Sequence, residues 1–179
     1  MFGLVDMRFI GHIYFLLLPA IIGGVLNMAF VKLPVLKAWQ APIDGGKTLR
    51  DGKRIFGDNK TWKGFFGMIV LTAFSAWLCW HGTFQNSFLC GALLGLAYVL
   101  FELPNSFVKR RLSIQAGKNG GAIQTLVDQA DSALGYAIFM LWIFPLSLAE
   151  GLSIFAIGTL THYIVNILLF LVKLRGQKG

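Results

Sequence analysis

Val127-Asp128-Gln129-Ala130-Asp131-Ser132-Ala133-Leu134-Gly135 sets two carboxylates three residues apart at the head of an apolar run with no charge from Leu134 to Leu146. On a helix, residues i and i+3 lie one above the other on one face, so both side chains are in reach of the same cation. A charged side chain at membrane depth costs about 2.5–3.5 kcal/mol on insertion scales, so two aspartates here require a cation, a partner or a water-filled cavity. The stretch therefore reads as a helix that carries a functional site into a bilayer.

The rest of the chain agrees. Of 179 residues, 56% are hydrophobic and only 13% charged, which is the make-up of an integral membrane protein. Apolar runs long enough for a hydrocarbon core of about 30 Å recur near 8–31, 61–80, 87–104, 124–146 and 152–172. These predict an all-α integral membrane protein: one catalytic domain over 1–179, with five transmembrane helices and two cytoplasmic basic loops at about 32–60 and 105–123. The first run is too long for a signal peptide and has no small-x-small cleavage site. The two cysteines, Cys79 and Cys90, read as buried thiols, their pairing left open.

The net charge of +8, from 16 basic and 8 acidic residues, becomes informative once located. Lys32, Lys37, Lys47, Arg50, Lys53, Arg54, Lys60 and Lys63 follow the first run, Lys109, Arg110, Arg111 and Lys118 the third, and Lys173, Arg175 and Lys178 the fifth. The turns at 81–86 and 147–151 hold no Lys or Arg. The positive-inside rule then puts the N-terminus outside and the C-terminus, with both basic loops, in the cytoplasm of a multi-pass cell-membrane protein. Nucleic acid, the other usual partner of a basic chain, has no binding fold here.

Asp44-Gly45-Gly46-Lys47 and Arg50-Asp51-Gly52-Lys53-Arg54-Ile55-Phe56-Gly57-Asp58-Asn59-Lys60-Thr61-Trp62-Lys63-Gly64 mix glycines and lysines as anion-binding turns do. Thr61 is placed to cap the second span and aim its positive end at a bound anion. The same loop would also rest on anionic headgroups of membrane lipids. In the first span, Pro19, Gly23 and Gly24 allow a kink and a close helix contact, and Asn27 is a polar group deep in the bilayer. In the third, Glu102, Asn105 and Lys109 form one stripe. Glu102 either completes a cation site or pairs with a lysine of the first loop. His162 and Asn166, four apart in the last span, read as a packing contact, as do His12 and His81.

Acidic groups on one helix, with Lys, Arg, Asn and Thr at the same end and no serine–histidine or cysteine–histidine set, suit phosphoryl or nucleotidyl transfer. Mg²⁺ is the expected ion, because it takes one or two carboxylates plus water and phosphate oxygens. An anionic lipid phosphate attacking the α-phosphorus of a nucleotide needs no general base.

Three ordered segments, Arg54 to Gly64, Glu102 to Arg111 and Val127 to Ser132, resemble the signature segments of the archaeal CDP-archaeol synthases, relatives of the CDP-diacylglycerol synthases. The resemblance covers essentially the whole chain. It implies Mg²⁺-dependent transfer of a cytidylyl group from CTP to a geranylgeranyl-ether glycerol phosphate. Asp128 and Asp131 would then hold metal and CTP phosphates, with Glu102 as a third ligand and Lys60 and Lys109 as catalytic cations. The basic segments would hold nucleotide (Lys53, Asn59, Lys60, Thr61, Asn105, Arg110) and lipid phosphate (Lys109, Arg111, Asn27). Oligomeric state, including a homodimer, is left open. A CDP-alcohol phosphotransferase also uses membrane aspartates three apart, but its pattern continues Asp-Gly where Asp131 here precedes Ser132. A transporter would show internal repeats.

Overall fold

The structure, a computed structural model, describes residues 7–118 and 120–174; Asn119, Arg175 and Lys178 of the basic segments lie outside the described residues. Five α-helices follow one another: α1 Met7–Lys32, α2 Trp62–Cys79, α3 Ser87–Arg111, α4 Ala122–Ile143 and α5 Leu148–Leu171. Each packs on its neighbour in sequence and α5 closes back on α1, giving a ring of helices around a central space.

Four of them, α1, α2, α3 and α5, are long and apolar enough to cross a membrane. In α4 the polar trio Asp128, Gln129 and Asp131 dilutes the first half, yet its outward stripe of Leu134, Ile138 and Trp142 is exposed and apolar like those of its neighbours. Polarity is inverted relative to a water-soluble bundle: Thr72, Ser75, Gln129, Ser132 and Asn166 are buried, while Leu78, Leu89, Leu152, Leu160 and Leu168 face outward. An exterior of this kind belongs in hydrocarbon, where interior polar groups must find partners within the protein.

Two devices draw the ring tight. Pro19 removes a backbone donor in α1 and disturbs the turn before it; the indole of Trp80 donates to the Phe15 carbonyl at 3.0 Å and the Tyr136 hydroxyl to that of Leu16 at 2.8 Å, tying α1 to α2 and α4 across the core. Small residues line the crossings of α2. A Cβ on Gly91 would fall 2.8 Å from the Thr72 carbonyl oxygen, and one on Gly23 would fall 2.9 Å from Thr72 Cα, so the close contact expected at Gly23 is present.

The helix ends depart from the expected ones in a way that matters for the site. The third helix runs through Pro104 to Arg111, so Asn105, Lys109 and Arg110 ride on a helix instead of in a loop, and the second loop starts only at Leu112. Membrane helices accommodate such a proline when neighbouring groups re-satisfy the backbone. At the other end, α5 begins at Leu148 because Ser147 and Glu150 form a reciprocal capping box, the Glu150 N–H donating to Ser147 Oγ at 3.2 Å and the Ser147 N–H to Glu150 Oε2 at 2.8 Å. Cys79 and Cys90 are free thiols.

All three basic segments gather at one end of the ring. Lys32 Nζ donates to the Lys173 carbonyl at 3.0 Å, and Lys53 Nζ to that of Arg111 at 2.7 Å. The opposite end carries the 81–86 turn and the His12–Glu150 pair at 3.5 Å.

Candidate active site

The first long loop is folded around Asp44. Its carboxylate accepts N–H bonds from Gly46 at 3.1 Å and from Phe56 and Gly57 at 3.0 Å each, and Arg54 Nε donates to it at 3.3 Å. Burial alone would raise the Asp44 pKa, but the Arg54 guanidinium and the Gly57, Phe56 and Gly46 N–H groups outweigh it and hold the carboxyl well below the usual carboxylate range. Backbone pairing closes the loop: the Ile43 N–H donates to the Lys60 carbonyl at 2.8 Å and that of Trp62 to Ala41 at 3.1 Å. Thr61 caps α2 as expected, accepting from the Gly64 N–H at 3.2 Å. Lys63, only 1% exposed, donates to the carbonyls of Val31 at 3.3 Å and Leu33 at 2.7 Å and so finishes the C-terminus of α1.

Beneath this folded loop, between α1, α2, α3, α4 and α5, lies a cavity of about 480 Å³. One wall is the acidic face of α4. The Asn105 amide of α3 donates to Asp128 Oδ1 and to Asp131 Oδ2, at 2.7 Å each, so a single side chain spans both carboxylates. Gln124, one turn before Asp128, donates to Asn105 Oδ1 at 2.7 Å and to Asp128 Oδ1 at 3.0 Å, which fixes the amide's orientation. Lys109 Nζ pairs with Asp128 Oδ2 at 2.6 Å, and Lys60 pairs with Glu102. Of the two roles open to Glu102, the structure thus shows the lysine pair.

Behind the carboxylates α4 is braced on α5. Asn166 donates to Gln129 Oε1, His162 Nδ1 lies 3.2 Å from the Gln129 carbonyl, and His162 Nε2 lies 3.0 Å from the Tyr98 hydroxyl. A carbonyl only accepts, so Nδ1 carries the proton and the hydroxyl donates to Nε2. The packing contact expected of His162 and Asn166 is therefore a polar bracket for the stretch between the two aspartates.

Of the residues singled out in the sequence, Asn27, Asn59, Lys60, Thr61, Glu102, Asn105, Lys109, Arg110, Asp128 and Asp131 all line this cavity. Two do not. Lys53 and Arg111 clamp the first loop to the end of α3, Arg111 holding Asp51 Oδ1 at 2.6 Å and the Lys53 carbonyl at 3.1 Å. Their charge serves the loop because the loop presents carbonyls and Asp51 there. Asn27 donates to the Gly64 carbonyl at 3.1 Å, leaving its buried Oδ1 without a partner among the described residues. Sequence reasoning gave Asp44 and Gln124 no role of their own, and Lys118, counted there in the second basic loop, lines the cavity. For Gln124 a signal existed, its four-residue spacing to Asp128 on the same helix face.

Among the described residues no three His, Cys, Asp or Glu side chains gather into a preformed metal site. The donor set nonetheless fits a hard divalent ion whose remaining positions are filled by ligand oxygens, because Asp128 and Asp131 present adjacent carboxylates to the same space.

A bundle of lipid-facing helices that encloses carboxylates, amides and ammonium groups at one end is an enzyme that works within the membrane. Residues 5–177 match the family model described as CDP-archaeol synthase, CarS-like. The CDP-archaeol synthase of Methanoculleus marisnigri is 36% identical over 141 residues, 71% of this chain and 82% of that one. The Pyrococcus furiosus enzyme of the same name is 30% identical over 145 residues, covering 78% of this chain and 84% of the relative. A solved structure of an intramembrane enzyme for archaeal membrane lipids biosynthesis superposes with a TM-score of 0.65 at 27% identity, over 86% of this chain and 92% of that one. The chain belongs to the CDP-archaeol synthase family.

Proposed function

We propose that the chain transfers the cytidylyl group of CTP to the phosphate of a geranylgeranyl-ether glycerol phosphate, giving a CDP-archaeol-type lipid and pyrophosphate. The observation that carries this reading is the pairing of Asp128 and Asp131 through one amide, in a cavity that Lys60, Lys109, Arg110 and Lys118 also line. The lipid phosphate is already anionic and attacks the α-phosphorus directly. A P–O bond forms there, the bond to the bridging oxygen of the β-phosphate breaks, and its electron pair leaves with pyrophosphate. Catalysis is then positioning and charge stabilisation.

Bound at Asp128 and Asp131, Mg²⁺ would neutralise phosphate charge and align the α-phosphate. Asn105 and Gln124 hold the two carboxylates in register for it. Lys109 and Lys60, one salt bridge away from the carboxylate wall, supply point charges to the incoming phosphates. The lipid has its own path: an apolar slot of about 90 Å³, lined by Leu17, Ile21, Val25 and Val165, shares Met28, His162 and Asn166 with the cavity, so a prenyl chain in the slot would bring its headgroup to the aspartates. For the same reason α4 is read as a fifth span. With the basic end in the cytoplasm, soluble CTP reaches the cavity from that side.

The test is product identity. Purified protein with CTP, Mg²⁺ and a prenylated glycerol phosphate should yield, by mass spectrometry, a CDP-lipid and an equal amount of pyrophosphate; CTP consumption without a cytidylylated lipid contradicts the reading.

A further inference from the structure

The aspartate half of α4 has no side-chain tie at its start. Its N-cap is Gly121, which offers no capping group, and Ile123 and Leu126 of the opening turns are exposed. The rotation of this helix about its own axis is therefore set by the helices beside it. That rotation matters for the carboxylates: a turn of about 20° carries a group roughly 6 Å from the axis about 2 Å sideways. Such a shift equals the whole oxygen distance of about 2.1 Å that Mg²⁺ keeps in near-ideal octahedral geometry.

On the cavity side the restraint is Asn105 and Lys109. Both contacts occupy carboxylate lone pairs that an ion also needs. From behind, the restraint bears on the main chain instead. His162 Nδ1 donates to the Gln129 carbonyl at 3.2 Å and lies 3.4 Å from Ser132 Oγ, while Asn166, one turn on, grips the Gln129 side chain. Gln129 and Ser132 each follow an aspartate, about 100° further round the helix, so they meet α5 when the aspartates face the cavity. A carbonyl inside a helix moves only with the helix, and a bond to it fixes the direction in which Asp128 and Asp131 point. Tyr98 of α3 completes the bracket by donating to Nε2 at 3.0 Å, which keeps the proton on Nδ1. Apolar contacts would pack α4 on α5 without placing a histidine and an asparagine in a bilayer-spanning helix, where polar side chains are costly.

We propose that His162 is a positioning residue: through the Gln129 carbonyl it sets the rotation of α4 at which Asp128 and Asp131 together hold a divalent ion. This rests on the reading of those two aspartates as the ion's ligands.

The experiment titrates Mn²⁺, which takes the same oxygen ligands, into the purified full chain in micelles and reads the free-ion electron paramagnetic resonance signal. Wild type is compared with His162→Leu, His162→Asn and Tyr98→Phe. His162→Leu should weaken Mn²⁺ about tenfold, the lower end for losing a group that orients a metal ligand. His162→Asn, whose amide N–H stands near the position of Nδ1, should return to within twofold of wild type. Tyr98→Phe should weaken the ion about threefold, because the carbonyl alone then selects the tautomer. In the transfer assay the half-saturating Mg²⁺ concentration should rise by the same factors, with kcat recovering at high Mg²⁺ and the KM for the lipid phosphate within twofold. The proposal is overturned by wild-type Mn²⁺ affinity in His162→Leu, by a loss that His162→Asn does not rescue, or by a defect confined to the lipid KM, which would make the ring a wall of the apolar slot. Should His162→Leu fail to fold, wild-type affinity in Tyr98→Phe overturns it equally. Failure of the underlying reading looks different: Asp128→Asn and Asp131→Asn would themselves leave Mn²⁺ affinity unchanged.

Discussion

Two carboxylate centres stand at the basic end of the molecule, Asp44 in the first loop and the Asp128–Asp131 pair on α4, and their partners distinguish them. Asp44 is surrounded by its own loop, with three backbone N–H groups and one guanidinium accounting for its lone pairs. Asp128 and Asp131 are held mostly by side chains, two amides and an ammonium, with the Ser132 N–H as a backbone donor to Asp131, and of these side chains Asn105 and Lys109 border an open cavity. Backbone donors cannot move aside for a ligand, whereas a lysine or an amide can. The first centre builds the loop over the cavity, and the second is the one proposed to do chemistry. The arginines divide in the same way, with Arg54 and Arg111 spent on the loop and Arg110 lining the cavity.

The largest effect should fall on the second centre. Asp128→Asn or Asp131→Asn should lower transfer 10²-fold to 10³-fold, about 2.7–4 kcal/mol, the scale of removing one electrostatic stabiliser, with the thermal midpoint of the purified protein little changed. Wild-type turnover in either variant would erase the distinction between the centres.

Asp44→Asn should act on the fold instead. Breaking its pair with Arg54 should cost about 3 kcal/mol, the low end for a buried ion pair because the Arg54 side chain stays 26% exposed. Limited proteolysis should then cut the 33–61 loop faster than in wild type. There is a pH signature too. The folded pKa of Asp44 is depressed, so its contribution is complete above the ordinary carboxylate value of 3.8 and is lost as pH falls below it. Protection of the loop should decline on acidification in wild type and be flat over that range in Asp44→Asn.

Smaller still, Lys60→Ala and Lys109→Ala should each reduce kcat/KM by about tenfold or more, because a charge-assisted hydrogen bond contributes about 1.5–3 kcal/mol. A membrane-surface lysine is limited to about 1 kcal/mol and its effect vanishes in neutral detergent. The smallest effect is Thr61→Ala, which should lower stability by about 1 kcal/mol through the lost cap on α2, read as a shift in thermal midpoint.

How much of this was legible beforehand depends on what each residue's role rests on. The helices, the Thr61 cap and the shared face of Asp128 and Asp131 follow from local periodicity, which sequence carries directly. Loop residues are a different matter. Lys53, Lys60, Arg110 and Arg111 are alike as residue types, and only the tertiary fold sends Lys60 and Arg110 to the cavity and Lys53 and Arg111 to loop carbonyls and Asp51. Asp44 was hidden for a related reason: in a glycine-rich stretch its partners lie 2, 10, 12 and 13 residues away, a spacing with no period. The end of α3 was misplaced because Pro104 reads as a stop in water and is tolerated within a membrane helix.

The central claim is that the α-phosphorus, and no other, passes to the lipid. It is tested most directly by running purified protein, Mg²⁺ and prenylated glycerol phosphate in parallel with CTP labelled at the α or at the γ phosphate. The account predicts α label in the organic extract and γ label in water-soluble pyrophosphate. Label from the γ position in the lipid, or α label released as CMP with none in the extract, would contradict it.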